Sequence, residues 1–435
     1  MSMIDPELAS SGKTARPSST DASDRRARLL RTLLFAALGV ALLSIVTTFT
    51  GSAELTSSGT FGAAVRLAVP ILVAGLGGLL CERVGVINIG LEGMMILGTW
   101  FGAWGALTYG PWWGVLIGVL GGAIGGLLHA VATVTFGIDQ IVSGVAINIL
   151  AAGVARFLSV IFFAGQGGGA TQSARVPGSI ARITVPFLAG GQLAGNDTPN
   201  LFGFMEATRV PLIAETGALG LAVTANVSLL VLLCLSMVPI VFLVMWKTPL
   251  GLRLRSVGEH PVGAESLGVN VYAMKYLGVS LSGALAGLGG AVLVLEAAGV
   301  YREGQTGGRG FIALAALIFG NWRPGGVLIG AGLFGYATAL DLRSGEAVHS
   351  LLLFVAIVLI VYGLAQLYRE RTLVDGWPVI AGLVVGWAYL VTDSVPSQLV
   401  FTTPYLTTLV VLAFFSQRLR PPAAIGRPYR RGELG

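Results

Sequence analysis

The sequence predicts an all-α, polytopic membrane protein with about ten transmembrane helices plus a broken or re-entrant helix pair. Apolar residues make up 54% of the 435 residues and charged residues only 11%, whereas a soluble domain has roughly 25% charged residues. The apolar residues form continuous blocks of about 20, the length that crosses the hydrocarbon core of a bilayer. Continuous blocks disfavour a membrane β-barrel, whose strands alternate. The composition also argues against a soluble enzyme, a disordered chain and a nucleic-acid-binding protein.

The predicted transmembrane segments are ten apolar runs that are long enough, or nearly so, to cross a bilayer. They cover residues 29–49, 61–80, 84–107, 112–136, 141–163, 219–246, 276–300, 349–367, 377–391 and 399–415. One further apolar stretch, 310–340, is interrupted by Asn321, Arg323 and Pro324, so its two halves are short. We expect a broken or re-entrant pair there, because non-helical backbone at membrane depth must be buried in protein or line a cavity.

Basic residues predict the orientation and the division of the chain. Residues 1–28 are a polar tail, residues 29–416 form the predicted transmembrane domain, and residues 417–435 are a second, basic tail. Lysines and arginines concentrate in both tails and in loop 247–275, and such clusters favour the cytoplasmic side. We therefore expect both termini in the cytoplasm and loop 164–217 outside.

Glycines recur at helical spacing in two of the predicted spans. They are Gly114, Gly118, Gly122 and Gly126 in the fourth span and Gly283 and Gly287 in the seventh. A spacing of four residues places them on one helix face, and small residues there let helix backbones approach closely. The pattern predicts a compact bundle and says nothing about what it carries.

The sequence indicates no catalytic, cofactor or metal site. Residues 11–14 match the end of a phosphate-binding loop, but Glu7 occupies the position of its first glycine. Residues 165–170 have the spacing of a dinucleotide motif but lie in the predicted external loop, without a strand and helix around them. The three histidines and two cysteines are scattered. We therefore predict no cofactor, no metal and no enzymatic activity.

Three polar residues within the spans are candidates for a solute path: Asn88, Glu92 and Asn148. Asn88 and Glu92 are four apart, which predicts that they share a helix face. Amide and carboxylate groups suit the hydroxyls and base edges of an uncharged, hydroxylated solute. The alternative is interhelical hydrogen bonding, with Glu92 paired to Arg83 or to backbone at a helix start.

Loop 247–275 contains a short predicted helix. Pro261 favours a helix start and Gly268 a helix end, and residues 262–267 between them are mostly small or apolar. A partly apolar helix on the aqueous side indicates docking into a groove of a partner protein. The alternative is a plain connector.

Three sequence blocks carry a resemblance to a known family. They are residues 81–95 (CERVGVINIGLEGMM), residues 251–268 continuing to 282–287, and residues 308–324; the tail 420–429 adds to the match. They resemble the permease subunits of bacterial ATP-binding-cassette importers, in the branch for nucleosides and simple sugars, which is related to branched-chain amino acid permeases.

This resemblance implies a permease for nucleosides in the bacterial plasma membrane. It implies ATP-binding ATPase subunits, a second homologous permease and an extracytoplasmic solute-binding lipoprotein as partners, besides membrane lipids and without nucleic acid. The ATPase would dock on a coupling loop whose matching residues are Gly251, Arg255, Glu259, Pro261, Ala264, Glu265 and Gly268. The broken helix would be marked by Arg309, Asn321, Arg323 and Pro324.

Other functions remain as alternatives. A permease for simple sugars fits the same resemblance. A stand-alone secondary transporter would need no ATPase, but the spans contain few carboxylates and no Asp, Glu and His chain typical of a proton relay. A membrane-embedded enzyme is the third alternative, and the sequence lacks an Asp-rich or His-rich set for it.

Overall fold

The computed structural model describes residues 40–165, 169–193, 195–341, 345–370, 376–395 and 419–431. Within these ranges the fold is mostly helical, with four strands of two residues each. Strand β1 (Arg182–Ile183) pairs antiparallel with β4 (Val227–Ser228), and β2 (Gln192–Leu193) pairs antiparallel with β3 (Asn196–Asp197). The first three strands lie in the predicted external loop 164–217, and β4 lies within the predicted span 219–246.

The helices follow one another with few long connections. They are α1 (Val40–Thr50), α2 (Ser58–Glu82), α3 (Leu91–Tyr109), α4 (Pro111–Ala130), α5 (Gln140–Phe162), α6 (Leu201–Ala207), α7 (Ile213–Thr224), α8 (Leu229–Lys247), α9 (Pro249–Glu259), α10 (Pro261–Ser266), α11 (Val271–Val292), α12 (Arg309–Phe319), α13 (Pro324–Asp341), α14 (Gly345–Glu370) and α15 (Trp377–Val391). Helices α4 and α11 each continue into a π-helical turn, Val131–Thr135 and Leu293–Ala298.

Six of the described helical segments are long and apolar enough to cross a membrane. They are Ser58–Glu82, Pro111–Thr135, Gln140–Phe162, Leu229–Lys247, Val271–Ala298 and Val348–Tyr368. The chain is therefore a multi-pass membrane protein, and the predicted count of about ten spans is not confirmed. The polar tail 1–28, the span 399–415 and most of the span 29–49 lie outside the described residues.

Helix α2 occupies the centre of the bundle. Every residue from Ala68 to Glu82 is buried. The helix packs against α11, α12 and α13, while α11 also packs against α3 and α4. Polar groups that face α2 are consequently removed from both lipid and water, so each must be hydrogen-bonded within the protein.

The glycine spacing is confirmed as a packing device. A Cβ added to Gly122 of α4 would lie 2.3 Å from the carbonyl oxygen of Gly283 on α11. A Cβ added to Gly287 would lie 2.4 Å from the carbonyl oxygen of Gly118. The backbones of α4 and α11 are thus in direct contact, which only glycine permits at these positions.

The predicted span 84–107 is wrong at its beginning. Helix α2 ends at Glu82, residues 83–90 are not helical, and α3 begins only at Leu91. Gly85 has φ of +82°, a left-handed conformation that ends a helix readily only with glycine. Asn88 therefore lies before α3 and Glu92 in its first turn, so the two do not share a helix face as the spacing predicted. We call residues 83–90 the first break.

A second break interrupts the apolar stretch 310–340 where the sequence predicted it. Helix α12 ends at Phe319 and α13 begins at Pro324. Asn321 and Trp322 both have positive φ, 49° and 53°, which makes the turn between the helices tight. We call residues 320–323 the second break.

Other boundaries also differ from the predicted spans. The predicted span 219–246 is divided between α7 and α8 by the strand β4, because Ala225 and Asn226 leave the helical conformation. Helix α11 begins at Val271, five residues before the predicted start of the span 276–300. Capping by the side chain of Asn270, which accepts from the Ala273 N–H, fixes that start.

Candidate solute path and coupling face

Side chains from α4 and α5 hold the backbone of the first break. The N–H of Ile87 donates to Oε1 of Gln140 at 2.7 Å. Its carbonyl oxygen lies 3.0 Å from Nε2 of His129, whose Nδ1 lies 2.9 Å from the hydroxyl of Ser143. All three side chains belong to buried residues. Because the carbonyl only accepts, Nε2 of His129 carries the proton and donates.

Asn148 of α5 bridges the first break and α3. Its Oδ1 accepts from the N–H of Gly93 at 2.7 Å, and its Nδ2 donates to the carbonyl oxygen of Ile89 at 3.1 Å. The first N–H groups of a helix have no partner within the helix. Asn148 therefore satisfies one such group of α3 and a carbonyl of the break with a single amide.

Glu92 connects α3 to the start of α12. Its Oε1 accepts from the N–H of Gly308 at 2.9 Å and its Oε2 from the N–H of Gly310 at 2.7 Å. The residue is only 7% exposed. The positive end of the α12 dipole and two free N–H groups favour a carboxylate there. Of the expected alternatives, pairing with backbone at a helix start is the one observed, and Arg83 has other partners.

Asn88 lies in the same region and is fully buried. Its Nδ2 donates to the hydroxyl of Ser282 on α11 at 2.9 Å. Its Oδ1 has no hydrogen-bond partner among the described residues. The structure therefore brings Asn88, Glu92 and Asn148 to one site, the first break and the start of α3, and leaves one amide oxygen there able to accept a bond.

The second break is joined to the end of α2. The indole N–H of Trp322 donates to Oε2 of Glu82, and both residues are 5% exposed. The guanidinium of Arg83 donates to the carbonyl oxygen of Trp322 from Nη2 at 2.7 Å. Sequence reasoning missed Glu82 and Trp322, although a carboxylate at the end of an apolar run and a tryptophan beside Pro324 are signals of a buried polar contact.

The four residues predicted to mark the broken helix have different surroundings. Arg309 donates from Nη1 to the carbonyl oxygens of Gln305 and Thr306, both at 3.1 Å, so it ties the segment before α12. Pro324 is the first residue of α13, where its missing N–H is harmless. Arg323 is exposed, and Asn321 accepts at Oδ1 from a backbone N–H of the C-terminal segment at 2.8 Å.

The short helix predicted in loop 247–275 is present as α10. It begins at Pro261 and ends at Ser266, and Gly268 follows with φ of +82°. His260 caps it, because its Nδ1 accepts from the N–H of Gly263 at 2.8 Å. Ala264 is buried, whereas Leu267 at the end is 86% exposed. The surface formed by α9 and α10 is called the coupling face below.

Helix α9 lies directly on the end of α2. A Cβ added to Gly258 would lie 2.1 Å from the carbonyl oxygen of Arg83, and the carboxylate of Glu259 lies 3.7 Å from Arg83 Nη1. At the other end of α9, a Cβ added to Gly251 would lie 2.1 Å from the Val244 carbonyl oxygen, and Arg255 donates from Nε to the Met245 carbonyl at 2.9 Å. Three predicted coupling residues, Gly251, Arg255 and Glu259, together with Gly258, thus fix α9 to the membrane helices.

Burial affects the ionisation of Arg83, which lies in the first break beneath the coupling face. Desolvation lowers the pKa of Arg83 and the nearby carboxylate of Glu259 opposes that shift, while Arg255 and Arg323 add to it. An arginine stays protonated after any ordinary shift. The charge of Arg83 therefore remains available to the carbonyl of Trp322 and to Glu259.

A cavity of about 220 Å³ lies at the other end of α11 from the coupling face. Its lining includes Pro111, Arg175 and Glu296. Glu296 is paired with Arg182 of β1 at 2.5 Å, so this end carries charged groups next to the predicted external loop. Because of its charge and position, the cavity is a candidate entrance for the solute and is not part of either break.

Comparison with known proteins identifies the family. Residues 60–362 match the family described as the permease component of branched-chain amino acid transport systems. That match covers well over half of the chain. The chain belongs to this permease family.

Individual relatives agree with the family. The guanosine ABC transporter permease protein NupQ of Bacillus subtilis is 32% identical over 84% of this chain and 94% of its own length. The nucleoside ABC transporter permease protein NupC of Lactococcus lactis is 32% identical over 83% and 93%. The putative glucose ABC transporter permease protein TsgC13 of Haloferax volcanii is 32% identical over 86% and 98%. No solved structure matches the chain.

The family and the fold together define what the chain is. It is a multi-pass membrane protein and a permease subunit of an ABC transporter. Its relatives are transport components rather than enzymes, and the set includes permeases named for nucleosides and for glucose.

Proposed function

We propose that this permease subunit imports nucleosides, driven by ATP hydrolysis on separate subunits. Two relatives that match nearly their whole length are named for guanosine and for nucleosides, which supports this solute class. The observation that carries the proposal is the buried first break, where the Oδ1 of Asn88 has no partner among the described residues. An amide oxygen accepts from ribose hydroxyls and from base N–H groups.

A simple sugar is the second candidate solute. The relative named for glucose is as similar to this chain as the two nucleoside relatives. A sugar also offers hydroxyl donors to the amide of Asn88. What favours a nucleoside is the presence of two such relatives and the resemblance of residues 81–95.

We place the solute path along the first break, with Asn88, Glu92 and Asn148 in two roles. Asn88 would contact the solute, since part of its amide is free. Glu92 and Asn148 would hold the starts of α3 and α12, which open or close the path. Their side-chain oxygen atoms accept from backbone N–H groups at these helix starts. Exchange of such bonds between two arrangements would open the path to one side of the membrane and then to the other.

The partners follow the same proposal. ATPase subunits would dock on the coupling face, where the exposed Leu267 offers an apolar contact beside α10. A solute-binding lipoprotein would dock at the other end, near β1 and the cavity. A second homologous permease would complete the path. The chain would lie in the bacterial plasma membrane with both termini in the cytoplasm.

The coupling face is joined to both breaks by a short series of contacts. Movement of α10 reaches α9, which touches the backbone of Arg83 through Gly258. Arg83 begins the first break and donates to Trp322 in the second. ATP-driven movement at the coupling face would therefore change both breaks together.

The test is uptake into vesicles that contain the complete complex. We expect ATP-dependent accumulation of guanosine that exceeds that of glucose. Asn88→Leu keeps the side-chain size and removes the amide, so uptake should fall about tenfold, the effect of losing one good hydrogen bond in the path. Asn196→Leu, on the exposed strand β3, is the control and should transport normally.

Four results would contradict the proposal. Accumulation of solute by the purified chain without ATPase subunits would indicate a secondary transporter. Preference for glucose would assign the sugar branch. Normal uptake by the Asn88→Leu complex would remove Asn88 from the path. Replacement of Gly268 or Glu265 with no effect on uptake in an assembled complex would remove α10 from the mechanism.

A further inference from the structure

The C-terminal segment 419–431 lies across the coupling face instead of extending away from it. The N–H of Ala424 donates to the carbonyl oxygen of Gly258 on α9 at 2.9 Å. The N–H of Gly426 donates to the carbonyl oxygen of Gly85 in the first break at 3.3 Å. Ala424 is only 6% exposed. The segment is therefore packed between α9 and the first break.

The first residues of the same segment are bonded to the second break and to α9. The N–H of Arg420 donates to Oδ1 of Asn321 at 2.8 Å. The N–H of Ala423 donates to Oε2 of Glu259 at 3.2 Å. Both acceptors are residues that the sequence resemblance had already marked, one in the broken helix and one in the coupling loop.

The end of the segment is bonded to α10. The hydroxyl of Tyr429 donates to Oε2 of Glu265, and Nε of Arg431 donates to Oε1 of the same carboxylate at 3.1 Å. The ring of Tyr429 also packs edge-on against Tyr272 of α11, with the ring centroids 5.6 Å apart. The carboxylate of Glu265 is thus bound on both oxygens by the C-terminal segment.

Apolar contacts fix the segment between these bonds. Leu419 and Ile425 pack against the main core, and Tyr429 packs against the small cluster of Val257, Ala264 and Val271 under α9 and α10. Desolvation and the bond to Glu265 raise the pKa of Tyr429 to about 12, so its hydroxyl keeps its proton at ordinary pH. The hydroxyl therefore remains a donor to Glu265 in any buffer used for transport.

We infer that segment 419–431 is a coupling strap, which carries movement of α10 directly to both breaks of the membrane domain. This inference rests on the proposed function. The strap is bonded to α9, α10, the first break and the second break, so a shift of α10 moves Tyr429 and, through the intervening backbone, the partners Gly85 and Asn321. Tyr429 and Arg431 are positioning residues for this movement and do not touch the solute.

The test compares solute uptake with ATP hydrolysis in the full complex. Tyr429→Phe keeps the ring contact with Tyr272 and removes the donor to Glu265. The double variant Tyr429→Phe with Arg431→Gln weakens both bonds to that carboxylate. Tyr368→Phe is the matched control, because Tyr368 is 87% exposed on α14. Hydrogen exchange at Ala424 and Gly426 reports whether the strap stays in place.

We expect the solute transported per ATP hydrolysed to fall severalfold in Tyr429→Phe and about tenfold in the double variant, as for the loss of a bond to a charged group. ATP hydrolysis and complex assembly should persist, which a loss of folding would not allow. The control should keep the wild-type ratio, and exchange at Ala424 should become faster in the double variant.

An unchanged ratio in the double variant would overturn the strap, whether or not its amides exchange faster. Equal loss of hydrolysis and uptake would also overturn it, since this would indicate only a docking or folding role. Failure of the wild-type complex to accumulate any nucleoside would instead reject the proposed function. A defect in the wild-type complex therefore counts against the proposed function, whereas the results for the variants alone decide the strap.

Discussion

The α4–α11 interface and the contact between Glu92 and α12 both bring helix backbones together inside the bundle, but through different atoms. At Gly122 and Gly287, carbon and carbonyl oxygen atoms of two helices touch with no side chain between them. At Glu92, a carboxylate accepts from the N–H groups of Gly308 and Gly310. A close backbone contact has one arrangement, whereas hydrogen bonds can exchange partners. The comparison indicates a rigid frame at α4–α11 and a movable joint at the breaks.

The largest effect is expected from Glu92→Ala. The change leaves two N–H groups at the start of α12 without an acceptor, and bonds to a charged group contribute about 1.5–3 kcal/mol each. We expect a loss of about 3 kcal/mol in the free energy of unfolding and no detectable uptake. Thermal unfolding in detergent measures the first and vesicle uptake the second.

Glu303→Ala is the control for this variant, because Glu303 forms an exposed pair with Arg156. If both variants unfolded at the same temperature, the bonds of Glu92 would not be holding α12. Glu92→Gln retains one acceptor oxygen and should fall between the wild type and Glu92→Ala.

Gly122→Ala tests the rigid frame and should have the next largest effect. The added methyl group meets the backbone of Gly283 and Gly287, and overpacking of this kind costs about 1–3 kcal/mol. We expect a lower unfolding temperature, with uptake reduced in proportion to the amount of folded complex. The same substitution at Gly153 of α5 is the control, since no atom lies within 4 Å of its added Cβ.

A Gly122→Ala protein that unfolds like the Gly153→Ala protein would show that α4 and α11 separate easily. A Gly122→Ala protein that is stable but inactive would show that the α4–α11 interface itself moves during transport. The interface would then not be a rigid frame.

Gln140→Met tests the movable joint at the first break without changing the α4–α11 interface. It should lower the free energy of unfolding less than Gly122→Ala does. Methionine has nearly the same shape but offers the N–H of Ile87 only a weak sulfur acceptor, which costs about 1–2 kcal/mol when the group stays buried. Because Ile87 lies in the first break, we expect uptake per folded complex to fall more than it does in Gly122→Ala.

Gln192→Met, on the exposed strand β2, is the matched control and should behave as wild type. Equal specific uptake in Gln140→Met and wild type would mean that the backbone of the first break does not need this bond for transport.

Arg156→Gln should have the smallest effect. The Arg156–Glu303 pair is exposed at both side chains, and such pairs contribute about 0–1 kcal/mol. We expect an unfolding temperature within about a degree or two of wild type. A large loss would show that the pair is covered by lipid or by a second permease in the complex.

Several features of the structure were predictable from local sequence. The composition and the length of the apolar runs indicate a polytopic helical protein. Pro261 and Gly268 indicate a short helix because their own backbone preferences favour a helix start and a helix end. The spacing of Gly118 and Gly122 indicates a close helix contact for the same local reason. Each of these predictions depends on residues within a few positions of one another.

The first break was not predictable in this way. Residues 84–90 are apolar enough for a span, and Gly85 alone does not end a membrane helix reliably. What fixes the break are side chains far along the chain, His129, Gln140 and Asn148, which satisfy its backbone groups. A single sequence gives no sign of these partners. The strap was missed for the same reason, since its partners Gly85, Gly258 and Asn321 lie in other segments.

The hydrogen bonds of the first break also constrain how the chain inserts into the membrane. The N–H and carbonyl groups of Ile87 and the carbonyl group of Ile89 bond to side chains of α4 and α5, which follow later in the chain. Until those helices have been inserted, the segment must either continue as one long helix or leave amides unsatisfied in hydrocarbon. We therefore expect the first break to reach its final shape only after α5 has been inserted.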